Sequence, residues 1–171
     1  MGAYTPHFGD NDRLPTGNQL GVHWPDELTT DVDYDVRAVE VVRDSGDLAW
    51  EMKIMGVKCE ETKCARDNKG WTSYSMERFY TAPIISSASC SDGVVTFDVV
   101  NNFKQMNLYE GSYLVKAIVD DDDIDKTDGT FDFLPHWRQT ALSVDVPSST
   151  SRATIYVTNQ FGDESSEEVS C

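Results

Sequence analysis

The chain has 171 residues, 39% of them hydrophobic, which is enough for one ordinary domain or two small ones with a real core. Its 30 Asp and Glu residues stand against 14 Lys and Arg residues, and the resulting formal net charge of -16 excludes nucleic acid and anionic membrane surfaces as partners for most of its surface. The acidic composition is also typical of proteins from concentrated salt, where the Debye length falls to about 3 Å and self-repulsion is screened. No apolar run approaches the roughly 18 residues that span a bilayer, so we expect no membrane insertion.

The N-terminal segment, residues 1–30, carries Pro and Gly at irregular intervals and has no apolar periodicity. This pattern predicts an extended N-terminal arm. It lacks the basic start and apolar core of a signal peptide, so no export signal is visible. Tyr4, Phe8 and Trp24 are unusual in a free tail, and we therefore expect the arm to dock on its own body or on a neighbouring subunit.

Residues 31–82 predict a β-hairpin region with a cysteine loop, as a separate lobe or as extra strands of one sheet. Apolar residues alternate with polar ones over residues 36–42 and again from Leu48, on both sides of a turn that contains Gly46. The aromatic stretch over residues 71–80 is predicted as a further strand because its Thr and Ser content favours strand over helix.

Residues 83–171 repeat a rhythm of strand and turn at intervals of about ten residues, which is expected of an all-β sandwich. The predicted strands cover residues 84–90, 94–101, 113–120, 139–146, 152–159 and 164–171. No segment of helical length shows a 3.6-residue period, so the sequence predicts an all-β protein.

The stretch TIYVTNQFGDESSE, from Thr154 to Glu167, is a strand, a glycine turn and a second strand of alternating polarity. It resembles the closing hairpin of immunoglobulin-like and fibronectin-like domains. The resemblance covers residues 83–171 and implies a fold but no activity; the cysteines do not flank a buried Trp as in antibody domains. The predicted architecture is thus a β-sandwich, immunoglobulin-like or jelly-roll, with an extended N-terminal arm.

Four cysteines are even in number, and their spacing favours pairing Cys59 with Cys64 across a local turn and Cys90 with Cys171. A zinc site and four reduced, buried thiols are the alternatives. Disulfides would indicate an oxidising compartment.

Residues 120–129 concentrate carboxylates, and hard cations such as Ca²⁺ prefer six to eight oxygen ligands. The candidate ligands are Asp121, Asp123, Asp125 and Asp128. The spacing is not that of an EF-hand loop, and a solvated acidic loop between two strands is the alternative. No cofactor beyond calcium or another cation is indicated.

Two tryptophans beside His and Pro, Trp24 and Trp137, are the candidate binding residues because such rings are more often exposed than those on a strand face. No catalytic signature is recognisable, and nucleophile, base and oxyanion donors cannot be nominated together, so we predict no catalytic residues and no enzyme.

The leading hypothesis is a non-enzymatic structural protein of a virus particle or a similar extracellular assembly, such as a capsid decoration, turret or tail component, from a halophilic system. It would be a homo-oligomer that contacts neighbouring subunits or other virion proteins through its N-terminal arm. The overall composition looks like that of an acidic virion protein of the haloarchaeal type. The alternative is a receptor- or carbohydrate-binding β-sandwich module in which calcium orders the acidic loop.

Overall fold

The computed structural model of the chain describes residues 9–24, 35–66, 73–119 and 124–171, apart from the side chains of Lys58, Cys64, Arg66 and Ile124. These residues form β-strands and no helix, which confirms the prediction of an all-β protein. No helix that is long and apolar enough to cross a membrane is found in them. The chain divides into two compact units, residues 1–78 and residues 79–171.

The first unit is built on a four-stranded antiparallel sheet in which the strands follow chain order. These strands are β1 (Asn11–Arg13), β2 (Gln19–His23), β3 (Val36–Val41) and β4 (Leu48–Ile54). A two-stranded hairpin follows, with β5 (Val57–Glu60) and β6 (Lys63–Arg66). The buried core of this unit consists of Val22, Val36 and Ala38 on the four-stranded sheet, and Trp50 and Met52 pack against them. The predicted hairpin of β3 and β4 is confirmed, and its turn contains Gly46 at φ 74°, a backbone conformation that glycine adopts without strain.

Part of the segment predicted as an arm belongs to this sheet. β1 and β2 pair with each other, and β2 pairs with β3 from Gln19 to His23. Leu14, Leu20 and Val22 are buried, so their apolar side chains hold this part of the segment in the unit. Residues 1–8 and 25–34 lie outside the described residues. The strand predicted over residues 71–80 is wrong for residues 73–80, where only Phe79 makes an isolated bridge, to Phe103.

The second unit contains two antiparallel sheets. The four-stranded sheet has the order β10-β9-β12-β13, and the three-stranded sheet has the order β11-β8-β7. The strands are β7 (Ile84–Ser91), β8 (Val94–Val100), β9 (Tyr109–Ile118), β10 (Ile124–Phe133), β11 (Thr140–Asp145), β12 (Arg152–Thr158) and β13 (Glu164–Ser170).

The two sheets of the second unit pack face to face around one core, which makes it a β-sandwich. Buried side chains alternate along the central strands, with Val95, Phe97 and Val99 on β8 facing Val115 on β9 and Ile155 on β12. The chain changes sheets between β8 and β9, between β10 and β11, and between β11 and β12. The first two of these crossings lie at the same end of the sandwich as the turn between β12 and β13, whereas the crossing between β11 and β12 lies at the opposite end.

β10 occupies sequence that was predicted to be an acidic loop. Its ten residues pair one by one with β9, so the loop prediction is wrong for residues 124–129, and residues 120–123 lie outside the described residues. The carboxylates are tolerated because β10 is an edge strand and its polar side chains reach water. Phe131 and Phe133 at its far end contact the core.

The disulfide predicted between Cys90 and Cys171 is present, with a Cα–Cα distance of 4.6 Å. It joins the end of β7 in one sheet to the residue that follows β13 in the other. Cys59 lies directly opposite Cys64 in the register of the β5–β6 hairpin, as the predicted local pairing requires. No free cysteine occurs among the residues that the structure describes.

Candidate functional site

Three loops converge at one end of the C-terminal sandwich: residues 101–108 between β8 and β9, residues 134–139 between β10 and β11, and residues 159–163 between β12 and β13. The strand register places them together, because Phe133 pairs with Tyr109 and Thr158 pairs with Ser112. We call this region the loop end.

A network of buried side-chain amides holds two of these loops in place. Asn101, Asn102, Gln105 and Asn159 have exposed fractions of 2%, 8%, 3% and 5%. The side-chain amide of Asn159 donates to the side-chain oxygens of Asn102 at 3.0 Å and Asp163 at 3.1 Å. The side-chain oxygen of Asn159 accepts hydrogen bonds from the backbone N–H groups of Phe161 and Asp163, both at 3.0 Å. Buried polar groups that are satisfied in this way fix a single loop conformation.

The same network extends to the third loop through Gln105. Its side-chain amide donates to the carbonyl oxygen of Phe133 at 2.7 Å, and its backbone carbonyl accepts the N–H of His136 at 2.9 Å. His136 and Trp137 both have positive φ values, 60° and 58°. Two consecutive non-glycine residues in the left-handed region are strained, and such a turn persists only where its surroundings impose it.

Exposed apolar side chains lie on this rigid framework. Phe161, Met106 and Phe79 are each 71% exposed, and Leu108 is 55% exposed. The ring of Phe103 lies 5.8 Å from that of Phe161 and 6.2 Å from that of Tyr109, centroid to centroid. The apolar cluster consists of Phe79, Phe103, Met106, Leu108, Tyr109 and Phe161. Five of these side chains are exposed and Phe103 is half-buried; exposed apolar residues that a fold gathers at one end of a domain mark interaction sites in soluble proteins.

The loop end also differs in charge from the rest of the chain. Its three loops contain Lys104, Arg138 and a single carboxylate, Asp163, in a protein whose formal net charge is -16. Asp163 is itself hydrogen-bonded to the amide groups of Asn102 and Asn159. Within the three loops the apolar cluster therefore meets little carboxylate repulsion, although Glu110, Asp132 and Glu164 lie in the adjoining strand ends.

The structure brings one of the two predicted binding tryptophans to this site. Trp137 is half-buried at the loop end, and its ring meets that of Tyr80 edge-on at 5.7 Å between centroids. Trp24 belongs to the first unit, where its half-buried ring contacts Tyr74 at 5.5 Å. The two tryptophans do not share a unit.

The predicted calcium ligands are not assembled within the described residues. Asp121 and Asp123 lie outside them. Asp125 and Asp128 are exposed on β10, and because they are three residues apart on one strand their side chains point to opposite faces of the sheet. A different acidic group occurs in the first unit, where carboxylate oxygens of Asp10, Asp12 and Glu77 lie within 4.8 Å of one another. This spacing suits a hard cation, and sequence reasoning missed it because β1 lies far from Glu77 along the chain.

The outer face of the four-stranded sheet carries a second surface feature, a shallow depression of about 500 Å³. It is lined by both polar and apolar groups, from Ser112, Tyr113, Leu114, Asp128, Gly129, Thr130, Tyr156, Thr158 and Glu164. The hydroxyl group of Thr158 donates to Glu164 at 3.2 Å, and the ammonium group of Lys116 lies 4.3 Å from the centre of the Tyr156 ring. Hydroxyl groups, carboxylates and an aromatic ring are the groups with which proteins hydrogen-bond and stack on polyhydroxylated ligands.

Comparison with known proteins gives no match, either to a family model or to a curated protein. What the fold and the site define is a two-unit, all-β protein whose C-terminal sandwich presents a rigid, aromatic and nearly neutral loop end. The sequence contains one local hint of this site, since Asn shortly precedes Phe in both Asn102–Phe103 and Asn159–Gln160–Phe161; Phe103 is half-buried and Phe161 is exposed.

Proposed function

We propose that the protein is a non-enzymatic structural component of a virus particle or a similar extracellular assembly, from a high-salt system, and that its C-terminal sandwich docks on a neighbouring protein subunit through the loop end. The observation that carries this proposal is the apolar cluster on an amide-anchored framework. Exposed aromatic side chains that are fixed before binding lose little conformational entropy when they are buried in an interface. Aromatic residues also dominate the energy of protein interfaces.

The charge distribution supports a subunit as the partner. Copies with a charge of -16 repel one another over most of their surface at low ionic strength, whereas in molar salt the repulsion is confined to about 3 Å. Salt also strengthens apolar contacts when its ions are excluded from the protein surface. An interface centred on the apolar cluster would thus form most readily in concentrated salt.

The architecture is compatible with an immunoglobulin-like sandwich, the fold that the closing hairpin suggested. The sheets have three and four strands, and β9 and β12 are neighbours although β10 and β11 lie between them in sequence. In sandwiches of that class, loops at one end commonly form the binding surface. The disulfide between Cys90 and Cys171 supports an oxidising, extracellular or virion location.

The test measures self-association in salt. We expect sedimentation velocity to detect oligomers of the purified protein at about 3 M KCl and far fewer at about 0.1 M. The variant Phe161→Ser with Met106→Ser should remain monomeric at both concentrations. Leu48→Ser with Val57→Ser is the matched control, because these side chains are 51% and 54% exposed but lie in the first unit. If the protein is monomeric at every salt concentration, or if both double variants behave alike, the proposed docking surface is wrong.

The alternative function is a receptor- or carbohydrate-binding module, and the depression on the outer sheet face favours it. Binding of neutral oligosaccharides on a glycan array, lost in Tyr156→Ala and retained in Thr154→Ala on the same strand face, would establish this alternative. Repeating the array with a chelator tests whether calcium takes part, since Asp128 lines the depression. An array without any signal would leave the assembly function as the better account.

A further inference from the structure

We propose that residues 1–8 of one copy bind the apolar cluster at the loop end of a second copy. This inference rests on the proposed function and names the partner that the loop end receives. It joins the predicted arm to a specific surface.

The composition of residues 1–8 fits that surface. The segment reads MGAYTPHF and contains no Asp, Glu, Lys or Arg, although these residues make up 26% of the chain. It offers Met1, Tyr4 and Phe8 as apolar side chains. Pro6 has a restricted φ, which lowers the entropy that such a segment loses when it is ordered on a partner.

The segment starts from a fixed point on the first unit. The carbonyl oxygen of Asp10 accepts the N–H of Val22 at 3.1 Å. A Cβ atom at Gly9 would lie only 2.2 Å from the carbonyl oxygen of Val22, so the backbone of Gly9 is in close contact with β2. The strands β1 and β2 anchor the chain there, and eight residues beyond this point reach at most about 29 Å when extended. That length is close to the diameter of roughly 30 Å expected for a unit of this size.

Charge explains why these two surfaces would be paired. Most orientations of two such acidic copies would place carboxylates against carboxylates. Residues 1–8 have no charged side chain, however, and the three loops contain only one carboxylate, Asp163. Contact between them avoids like-charge opposition and buries aromatic side chains on both sides. Because Tyr4 and Phe8 are four residues apart, both would lie on one side of an extended segment and face the apolar cluster together.

The experiment uses a chain without residues 1–8 and a synthetic peptide of those residues. All described strands follow residue 8, so the shortened chain should keep the melting temperature of the full chain. At high salt the full chain should self-associate and the shortened chain should be monomeric. The peptide should bind the shortened chain, and replacing Tyr4 and Phe8 of the peptide by Ala should weaken binding roughly 10-fold or more. Phe161→Ser with Met106→Ser in the shortened chain should remove peptide binding.

The outcomes separate this inference from the proposed function. If the shortened chain still self-associates but the loop-end variant does not, the loop end docks on another surface and this inference is overturned while the proposed function stands. If the full chain is monomeric and the shortened chain binds the peptide, the segment docks within its own chain, which overturns an exchange between copies. If neither change affects association, both proposals fail.

Discussion

The phenol ring of Tyr113 on β9 lies over Gly129, the residue directly opposite it on β10. A Cβ atom at position 129 would lie 2.6 Å from the hydroxyl oxygen of Tyr113, closer than real Cβ contacts allow. The glycine thus gives an aromatic side chain room at the edge of the sandwich, where the same ring also packs against Phe97.

Gly129→Ala should therefore destabilise the C-terminal unit by about 1–3 kcal/mol, as overpacking typically does. Chemical denaturation measures the change. Gly21→Ala in β2 is the matched control, since the nearest atom to its Cβ would be 3.9 Å away. In a Tyr113→Ala background the Gly129→Ala change should have little further effect, and a full effect there would show that the ring is not the obstacle.

Asn159→Ala should destabilise the C-terminal unit by roughly 2 to 3 kcal/mol, because it leaves the buried side-chain oxygen of Asn102 and the backbone N–H groups of Phe161 and Asp163 without partners. Hydrogen exchange should accelerate at the amides of Phe161 and Asp163. Asn107→Ala, at an exposed position of the loop between β8 and β9, is the control and should change neither measurement. Unchanged exchange in Asn159→Ala would mean that the amide network does not fix the loop end.

The stability of the first unit should decrease as the pH falls. Burial, with Arg37 as a second cause, holds the pKa of His23 below its ordinary value of 6.5, and Glu51 opposes this only in part. As the pH falls, His23 is protonated in the unfolded chain at a higher pH than in the folded chain. The contribution of neutral His23 to the stability of the first unit is therefore complete above pH 6.5 and declines as the pH falls from there toward the lower folded pKa. Hydrogen exchange of β2 and β3 amides between about pH 7.5 and 5.5, above the range in which carboxylates titrate, measures this after correction for intrinsic rates. His23→Gln should flatten the dependence, and a variant with the same slope would contradict the assignment.

Removing the disulfide with Cys90→Ser and Cys171→Ser should destabilise the C-terminal unit by about 4 kcal/mol, because the bond closes a loop with a sequence separation of 81 residues. The hydrogen exchange of β12 and β13 should report the loss. Exchange in β3 and β4, in the first unit, is an internal control and should not change. A loss below about 1 kcal/mol would show that the cross-link adds little to the packing of β7 against β13.

Much of the fold could be predicted from the sequence because most strands bury one face. The hairpin of β3 and β4 and the strands β7, β8, β12 and β13 show the period-two pattern or the turn residues that define them. β10 could not be recognised in this way. Its core-facing positions include Asp125, Thr127 and Gly129, and an edge strand does not require apolar residues there.

The same reasoning explains the errors in the first unit. β1 and β2 are short and lie among Pro and Gly residues, so only their pairing in the folded sheet, β1 with β2 and β2 with β3, identifies them. The aromatic residues Tyr74 and Phe79 suggested a strand by composition, but they are 66% and 71% exposed and make no ladder. Composition alone does not supply a pairing partner.

The loop end could be predicted only in part. Trp137 was a candidate because its neighbours suggested exposure, whereas the cluster of Phe103 with Phe161 depends on the register of β9 and β12 and on the amide network. Residues so far apart in sequence are brought together by topology, which a single sequence does not display.

Both outer strands of the four-stranded sheet bear carboxylates, Asp128 and Asp132 on β10 and Glu164 and Glu168 on β13. A second copy that paired with either edge strand would place its own carboxylates against these carboxylates. This like-charge repulsion disfavours edge-to-edge association of sheets from different copies. If copies associate as proposed, contacts at the loop end would leave these acidic strand edges facing solvent and ions.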